Sequence, residues 1–362
     1  MPAEPKRLLS LDALRGFDMA WILGGGLAVR AWDQAGGPAW VATVAEQTTH
    51  VEWHGFRAWD LIFPLFLFLA GVSLPFSYAK RVAAGAQRLD LALHALRRGV
   101  VLVLLGLVYN GLLRFDLDTL RTASVLGRIG LAYAGAACLV IWLPKVRDQA
   151  IAAGVLLLGS WGLLSIAAPG EEAASLEMGK NLFDWFDRRF LPGRLYQDVH
   201  DPEGLLATLP AIVTALAGTW AGRYLASKET HELRSAFHLA IAGVIALFAG
   251  WAWDHVLPFN KHLWTSSFVC WCAGWSLLLL ATFYALVDVL GLARLGWFFG
   301  VIGANSILLY LTQAFVDWHE LGPLVFGRAE GRLHPGLMAA TGLFLQWLLA
   351  AWLYKRRIFL RV

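Results

Sequence analysis

Ten windows of about 20 predominantly apolar residues recur between residues 13 and 354, each long enough to cross roughly 30 Å of hydrocarbon as a helix. Within a bilayer every backbone N–H and C=O must be paired inside the protein, which leaves helices and closed barrels as the spanning structures. The windows predict helices near 13–30, 59–79, 98–113, 124–144, 149–168, 205–225, 238–254, 263–288, 295–315 and 335–354. Composition agrees: 58% of residues are hydrophobic and 15% charged, where a soluble domain carries about a quarter charged. No gap between windows is long enough for a soluble domain, the longest polar segment being 169–204. The expected fold is all-α, a polytopic membrane helix bundle of about ten transmembrane helices in a single domain, 1–362. The N-terminal stretch MPAEPKRLLSLDALRGFDMAW has no compact apolar core or small-residue cleavage site, so it reads as a retained first helix.

Orientation follows from the basic residues, which concentrate on cytoplasmic loops. With the N-terminus inside, 18 of the 30 Lys and Arg fall on the inner side, from Lys6, Arg7 and Arg15 to Lys355, Arg356, Arg357 and Arg361. Arg328 and Arg332 count on the outer side. Both termini are then cytoplasmic, and the outer side receives His50–Asp60, His200–Gly204 and Pro258–Ser267.

The densest chemistry lies in HVEWHGFRAWDLIFPLFLFLAGVSLPFSY, residues 50–78, which opens with His50, Glu52, His54, Arg57 and Asp60 before a long uncharged run. Ionisable groups at a membrane boundary cost free energy unless they pair or work. A neutral imidazole can take a proton from an amine or hydroxyl, or accept an acyl group, with a carboxylate orienting the ring. Spacing alone does not choose between His50 and His54, and Trp53 and Trp59 are equally suited to anchoring at the interface.

Other polar residues carry two readings each. Asp201 and Glu203 suit the first turn of the sixth helix, where acids meet the positive end of the dipole. Asn260, Lys261, His262, Trp264, Thr265 and Ser266 are rich in donors; an aromatic beside amide and hydroxyl groups can hold a sugar ring or anchor at the interface. Asp12 and Arg15 share a helix face and can pair. Arg128, inside the fourth window, needs a carboxylate, an anion or a polar cavity. Asn305 and Ser306 suit helix-to-helix hydrogen bonding, and Gly24–Gly26 allows close approach. Cys138, Cys270 and Cys272 lie in apolar runs and fit neither a disulfide framework nor a zinc site, so no metal is expected. Neither GxGxxG nor GxxxxGK[ST] occurs, and no nucleic-acid partner is expected.

Taken in order, RLLSLDALRGFDM, HVEWHGFRAWDLIFPLFLFLAGVS, GRIGLAY, DPEGLLATLPAI, LPFNKHLWTSSFV and GANSILLYL resemble the bacterial relatives of heparan-α-glucosaminide N-acetyltransferase, a family of transmembrane acyltransferases. The resemblance runs from Arg7 to about Asp317. It implies an acetyl-CoA-dependent N-acetyltransferase in the bacterial inner (cytoplasmic) membrane, moving acetyl from the cytoplasm to an amino sugar on the outer face. The family's His-x-x-Trp-x-Gly histidine falls on His50, its aspartate before Leu-hydrophobic-Phe-Pro on Asp60, and the asparagine of Asn-Ser-Ile on Asn305. Where the lysosomal enzyme has a functional asparagine in its first helix, this chain has Gly24–Gly26, and that enzyme's large lumenal N-terminal domain is not expected here.

On this reading His50 and Asp60 are catalytic. Glu52, Trp53, Asp201, Glu203, Asn260, Lys261, Trp264 and Thr265 hold the amino sugar. Arg15, Arg97, Arg98, Lys355 and Arg356 hold the acetyl-CoA phosphates, and the pantetheine arm passes Arg128, Asn305 and Ser306. The partners are then acetyl-CoA, a glucosamine-like sugar and the lipid bilayer; a homodimer is allowed but not required. Because some bacterial members are described as N-acetylglucosamine-related transporters, a sugar transporter is the alternative.

Overall fold

The computed structural model describes residues 8–228, 231–326 and 333–360. Lys6, Arg7, Arg328, Arg332 and Arg361, used above to assign orientation, lie outside the described residues. Among those described the chain is helical throughout, with no strand beyond one antiparallel bridge between Arg121 and Gly193. The helices are α1 (Leu9–Ala20), α2 (Gly26–Gln34), α3 (Ala39–Gln47), α4 (Ala58–Ala83), α5 (Arg88–Tyr109), α6 (Val125–Trp142), α7 (Val146–Leu164) and α8 (Leu182–Phe190). There follow α9 (Thr208–Ala226), α10 (Leu233–Asp254), α11 (Ser266–Phe283), α12 (Ala293–Gly303), α13 (Ser306–Thr312), α14 (Leu321–Phe326) and α15 (Pro335–Lys355).

Each of the ten apolar windows folds as helix, but the structure does not support ten spans. Six described helices are both long and apolar enough to cross a bilayer, namely α4, α5, α6, α10, α15 and α11 with its extension to Val289. The bent pair α12–α13 makes a seventh if taken as one span. The remaining windows, α1–α2, α7 and α9, do not meet both conditions. The chain is a multi-pass helical membrane protein.

Helices α4 and α9 approach closely at small residues, Gly71 against Ala215 and Gly222 against Val72. At Gly218 an added Cβ would overlap the Phe68 carbonyl oxygen, so only glycine permits this approach. Lipid supplies no hydrophobic drive between apolar helices, and close backbone contact of this kind supplies packing energy in its place. Pro64 and Pro75 lie inside α4, where neighbouring helices can compensate for the lost hydrogen bonds.

Two helix interruptions shape the interior. A π-helical turn at Trp21–Gly25 joins α1 to α2, with Gly24 at φ 145°, a conformation that non-glycine residues rarely adopt. Such π-bulges occur frequently at functional sites. Between α12 and α13 the axis bends by 50° at Ala304–Asn305. The amide of Asn305 fixes this bend to the C-terminal segment, donating to Ile358 O (2.9 Å) and accepting from Leu360 N (3.0 Å).

The loops at 48–57, 110–124, 171–205 and 255–265 gather at one end of the bundle. Gly55 N donates to Phe259 O, Trp53 Nε1 to Leu176 O, and Arg121 pairs with Asp201. These are the segments that the Lys/Arg distribution assigns together to one side.

Candidate functional site

The loop after α3 folds back over the start of α4. Asp60 accepts the Arg57 N–H (3.1 Å), while the Arg57 guanidinium donates to Thr49 Oγ1 (2.7 Å) and His50 O (3.1 Å). This local knot carries His50 over the buried Asp60, with Nδ1 2.7 Å from Oδ1. An ionised carboxylate only accepts, so the Nδ1 proton belongs to the imidazole and Nε2 is left with its lone pair. From the other side Lys261 Nζ stands 3.5 Å from Asp60 Oδ1 and 3.1 Å from His50 Nδ1. Burial lowers the proton affinity of Lys261, opposed by the charges of Asp60 and Glu203.

His50 opens onto a cavity of about 670 Å³. Its polar mouth is formed by His50, Glu52, Arg121, Glu203, Lys261 and His262, with Tyr196 and Trp59 beside them. Deeper, an apolar limb runs between Ile62, Phe66, Ile129 and Ile307 to Met19 and Ile22, next to the π turn. Tyr109 and Tyr310, stacked at 4.5 Å, line it as well.

Of the predicted acceptor residues, Glu52, Glu203 and Lys261 line the cavity with His50, whereas Trp53, Asp201, Asn260, Trp264 and Thr265 do not. Trp264 is fully buried, donates to Thr214 Oγ1 (3.1 Å) and lies under the Arg128 guanidinium (5.0 Å). It does not present a face to a sugar. Asn260 accepts from Leu263 N, and Thr265 accepts from Asn260 N and donates to Pro258 O. The donor-rich turn is thus a frame that fixes Lys261 and His262 at the cavity wall. His54 lies off the cavity, 3.3 Å from Asn260 Nδ2, and burial lowers its proton affinity against the pull of Asp254.

The capping role suggested for Asp201 and Glu203 is not what the structure shows, because α9 begins later, at Thr208. Asp201 takes Arg121 Nε (2.8 Å) and Tyr196 N (3.1 Å), and Glu203 also pairs with Arg121. These carboxylates hold the Arg121 guanidinium firmly in its charged form. Arg128 occupies the first turn of α6, donating to Gly204 O (3.1 Å), and it does not line the cavity.

The expected inner basic cluster is divided among three places. Arg15 binds Asp12 and Ser73 on the α1–α4 face. Arg98 lies over the Tyr133 ring (4.4 Å) between α5 and α6, beside the exposed Arg97. Lys355 borders a separate cavity with Trp297, Trp352, Arg357 and Phe359, and Arg356 is exposed next to it. Among the described residues no hydrogen bond, ion pair or ring contact links Arg97 or Arg98 to Lys355 or Arg356. Asn305 and Ser306 lie at the α12–α13 bend and likewise do not line the His50 cavity.

Sequence reasoning did not single out a second histidine system. Asn181 caps α8 by accepting from Asp184 N (2.8 Å), and Asp184 Oδ1 meets His200 Nδ1 at 2.6 Å. His200 Nε2 is 3.1 Å from His262 Nδ1. The only sequence signal was the concentration of His and Asp in two loops far apart in the chain. Arg121 and Tyr196 gave none. Among the described residues, no group of three or more His, Cys, Asp or Glu is placed to hold a metal ion.

No protein-family model matches the chain. It is similar to human heparan-alpha-glucosaminide N-acetyltransferase, 26% identical over 422 aligned residues covering 100% of this chain and 61% of the human protein. The mouse protein of the same name is 28% identical over 373, covering 86% of this chain and 56% of its own length. The chain, spanning about three fifths of those proteins' length, is a distant relative of the heparan-alpha-glucosaminide N-acetyltransferases.

Proposed function

We propose that this protein is a transmembrane acetyltransferase of the bacterial inner membrane, moving acetyl from cytoplasmic acetyl-CoA to the amine of a glucosamine-like sugar on the outer face. The observation that carries the reading is His50, its Nδ1 held by buried Asp60 and its Nε2 carrying the lone pair, with Lys261 Nζ 3.5 Å away, at a cavity with a polar mouth and an apolar limb. The names of its relatives add support.

The chemistry follows from that atom. As acyl carrier, Nε2 attacks the thioester carbonyl, the C–S bond breaks and CoA leaves as thiolate; the sugar amine then attacks the acetyl-imidazole and releases His50. As general base, Nε2 takes a proton while the amine attacks the thioester directly. Positive charge grows on the ring by either route, and Asp60 stabilises it. Lys261 supplies a cation where an oxyanion would form. Glu52 and Glu203, at the mouth, suit an ammonium group, while Trp53, Asp201, Asn260, Trp264 and Thr265 support the walls.

The apolar limb suits a pantetheine arm. Arg15 lies one helical turn inward of Met19 on α1, close to Ser73 of α4, and is the basic residue best placed to meet the CoA phosphates. Arg97, Arg98, Lys355 and Arg356 would act on them from further away, with Arg128, Asn305 and Ser306 holding the helices around the limb.

Proteoliposomes of known orientation test the reading, with acetyl-CoA on the cytoplasmic face and glucosamine confined opposite. Acetylated sugar should appear only in the sugar compartment, and His50→Ala should abolish it, a general base contributing about 10²–10⁴-fold. Uptake of N-acetylglucosamine with no acetylation would give the protein to the transporter class, and full activity in His50→Ala would refute the mechanism.

A further inference from the structure

We propose that Asp184, His200 and His262 form a proton relay whose terminal base, His262 Nε2, takes the proton of the acceptor's ammonium group in the cavity shared with His50. The proposal rests on the acetyl-transfer reading. It assigns the step that reading leaves open: an amino sugar near neutral pH carries an ammonium group, which has no lone pair with which to attack.

With both imidazole rings neutral, the hydrogen bonds assign each proton. Asp184 Oδ2 already accepts from Gly179 N (2.7 Å) and Asn181 Nδ2 (2.6 Å), so its remaining oxygen Oδ1 accepts the Nδ1–H of His200. With His200 neutral, its Nε2 is an acceptor, and His262 Nδ1 is the donor across the 3.1 Å contact. That leaves the lone pair of His262 on Nε2, an atom with no hydrogen bond among the described residues, in a side chain that lines the cavity. Asp184 and His200 are each 1% exposed. The Trp53 ring covers the pair, 5.0 Å from His200 edge-on and 5.1 Å from His262 at 31°, anchored through Nε1 to Leu176 O.

Surrounding charge explains why one histidine would not suffice. His262 is faced by Lys261, His50, Asp60 and His200, and burial with the repulsion of His200 and Lys261 pushes its pKa down to about 3. A cation resting on His262 beside the Lys261 ammonium is unfavourable. In a coupled transfer the amine's N–H breaks as Nε2 of His262 is protonated, and the Nδ1 proton of His262 passes to His200 Nε2. The positive charge then rests on His200, against the buried Asp184 carboxylate. No proton is created or lost, and the amine is left free to attack the acetyl group.

His200→Gln separates relay from scaffold, because the Gln carbonyl can still accept from His262 Nδ1 but cannot take up a proton. Acetylation of glucosamine from acetyl-CoA would be followed against pH in wild type, His200→Gln and His262→Gln, with calorimetric acetyl-CoA binding as the control for folding. Both variants should bind acetyl-CoA normally and lose roughly 10²-fold in rate near pH 6.5, the loss shrinking as pH rises and solvent deprotonates the amine. A loss of equal size at every pH, or none, would overturn the relay while leaving the acetyl-transfer reading intact. Wild-type protein that acetylates no amine would overturn both.

Discussion

Replacing Asp60 with Asn isolates the electrostatic work of the His50 site, since an Asn carbonyl can still cap α4 by accepting from Arg57 N. What disappears is the charge facing His50 at 2.7 Å. Unit charges about 4 Å apart interact by on the order of 4 kcal/mol at an effective dielectric of 20. The His50 side chain is 51% exposed, so solvent screening reduces this to about 2–3 kcal/mol. At roughly 1.4 kcal/mol per tenfold, stabilisation of the charged ring accounts for about 10² in rate. Asn also ceases to select the Nδ1–H tautomer, which extends the expected loss to about 10²–10³. The assay is steady-state acetylation of glucosamine by protein in liposomes, beside calorimetric acetyl-CoA binding, which should hold within about threefold. Asp60→Asn turning over within about fivefold of wild type, with binding intact, would refute the claim that Asp60 stabilises positive charge on His50.

Three further outcomes follow from the packing and the charges. Gly218→Ala should destabilise the protein by about 1–3 kcal/mol by forcing α9 from α4, whereas Gly159→Ala, with open space around it, should be neutral or slightly stabilising; thermal unfolding in detergent reads both. Burial raises the pKa of Asp187 to about 7 from 3.8, against the pull of Leu205 N–H and Arg128. Its contribution to stability is thus full below pH 3.8 and lost as pH rises through about 7, so Asp187→Asn should gain stability relative to wild type as pH goes from 5 to 8. In a background without the three native cysteines, an impermeant thiol reagent applied to intact cells should label a cysteine at 180 and not one at 228; the reverse pattern would invert the assigned orientation.

The membrane-bound helical architecture was legible in the sequence because the requirement for paired backbone groups in lipid is local, and window length and apolarity report it directly. All ten windows are helical, yet only six described helices, or seven with the bent α12–α13 pair, are long and apolar enough to span, so ten spans are not supported. That a histidine of this loop could meet Asp60 was readable from a short segment and one helix start, but spacing left His50 and His54 open; the resemblance pointed to His50, and it is His50 that contacts Asp60.

What required the tertiary structure was every role that depends on residues distant in the chain. Trp264 looked like a sugar platform, but its environment is set by α4, α6 and α9, which enclose it. Asp201 and Glu203 looked like caps until Arg121, some 80 residues earlier in the chain, claimed both carboxylates. The basic residues placed together on the inner side are dispersed over separate helix faces, because a charge count fixes a side of the membrane and not a position within it. The Asp184–His200–His262 chain joins two loops 62 residues apart. Sequence determined which segments form apolar helices, because apolarity is a property of the segment itself; which polar groups meet at their ends was decided by helix packing, a property of the whole chain.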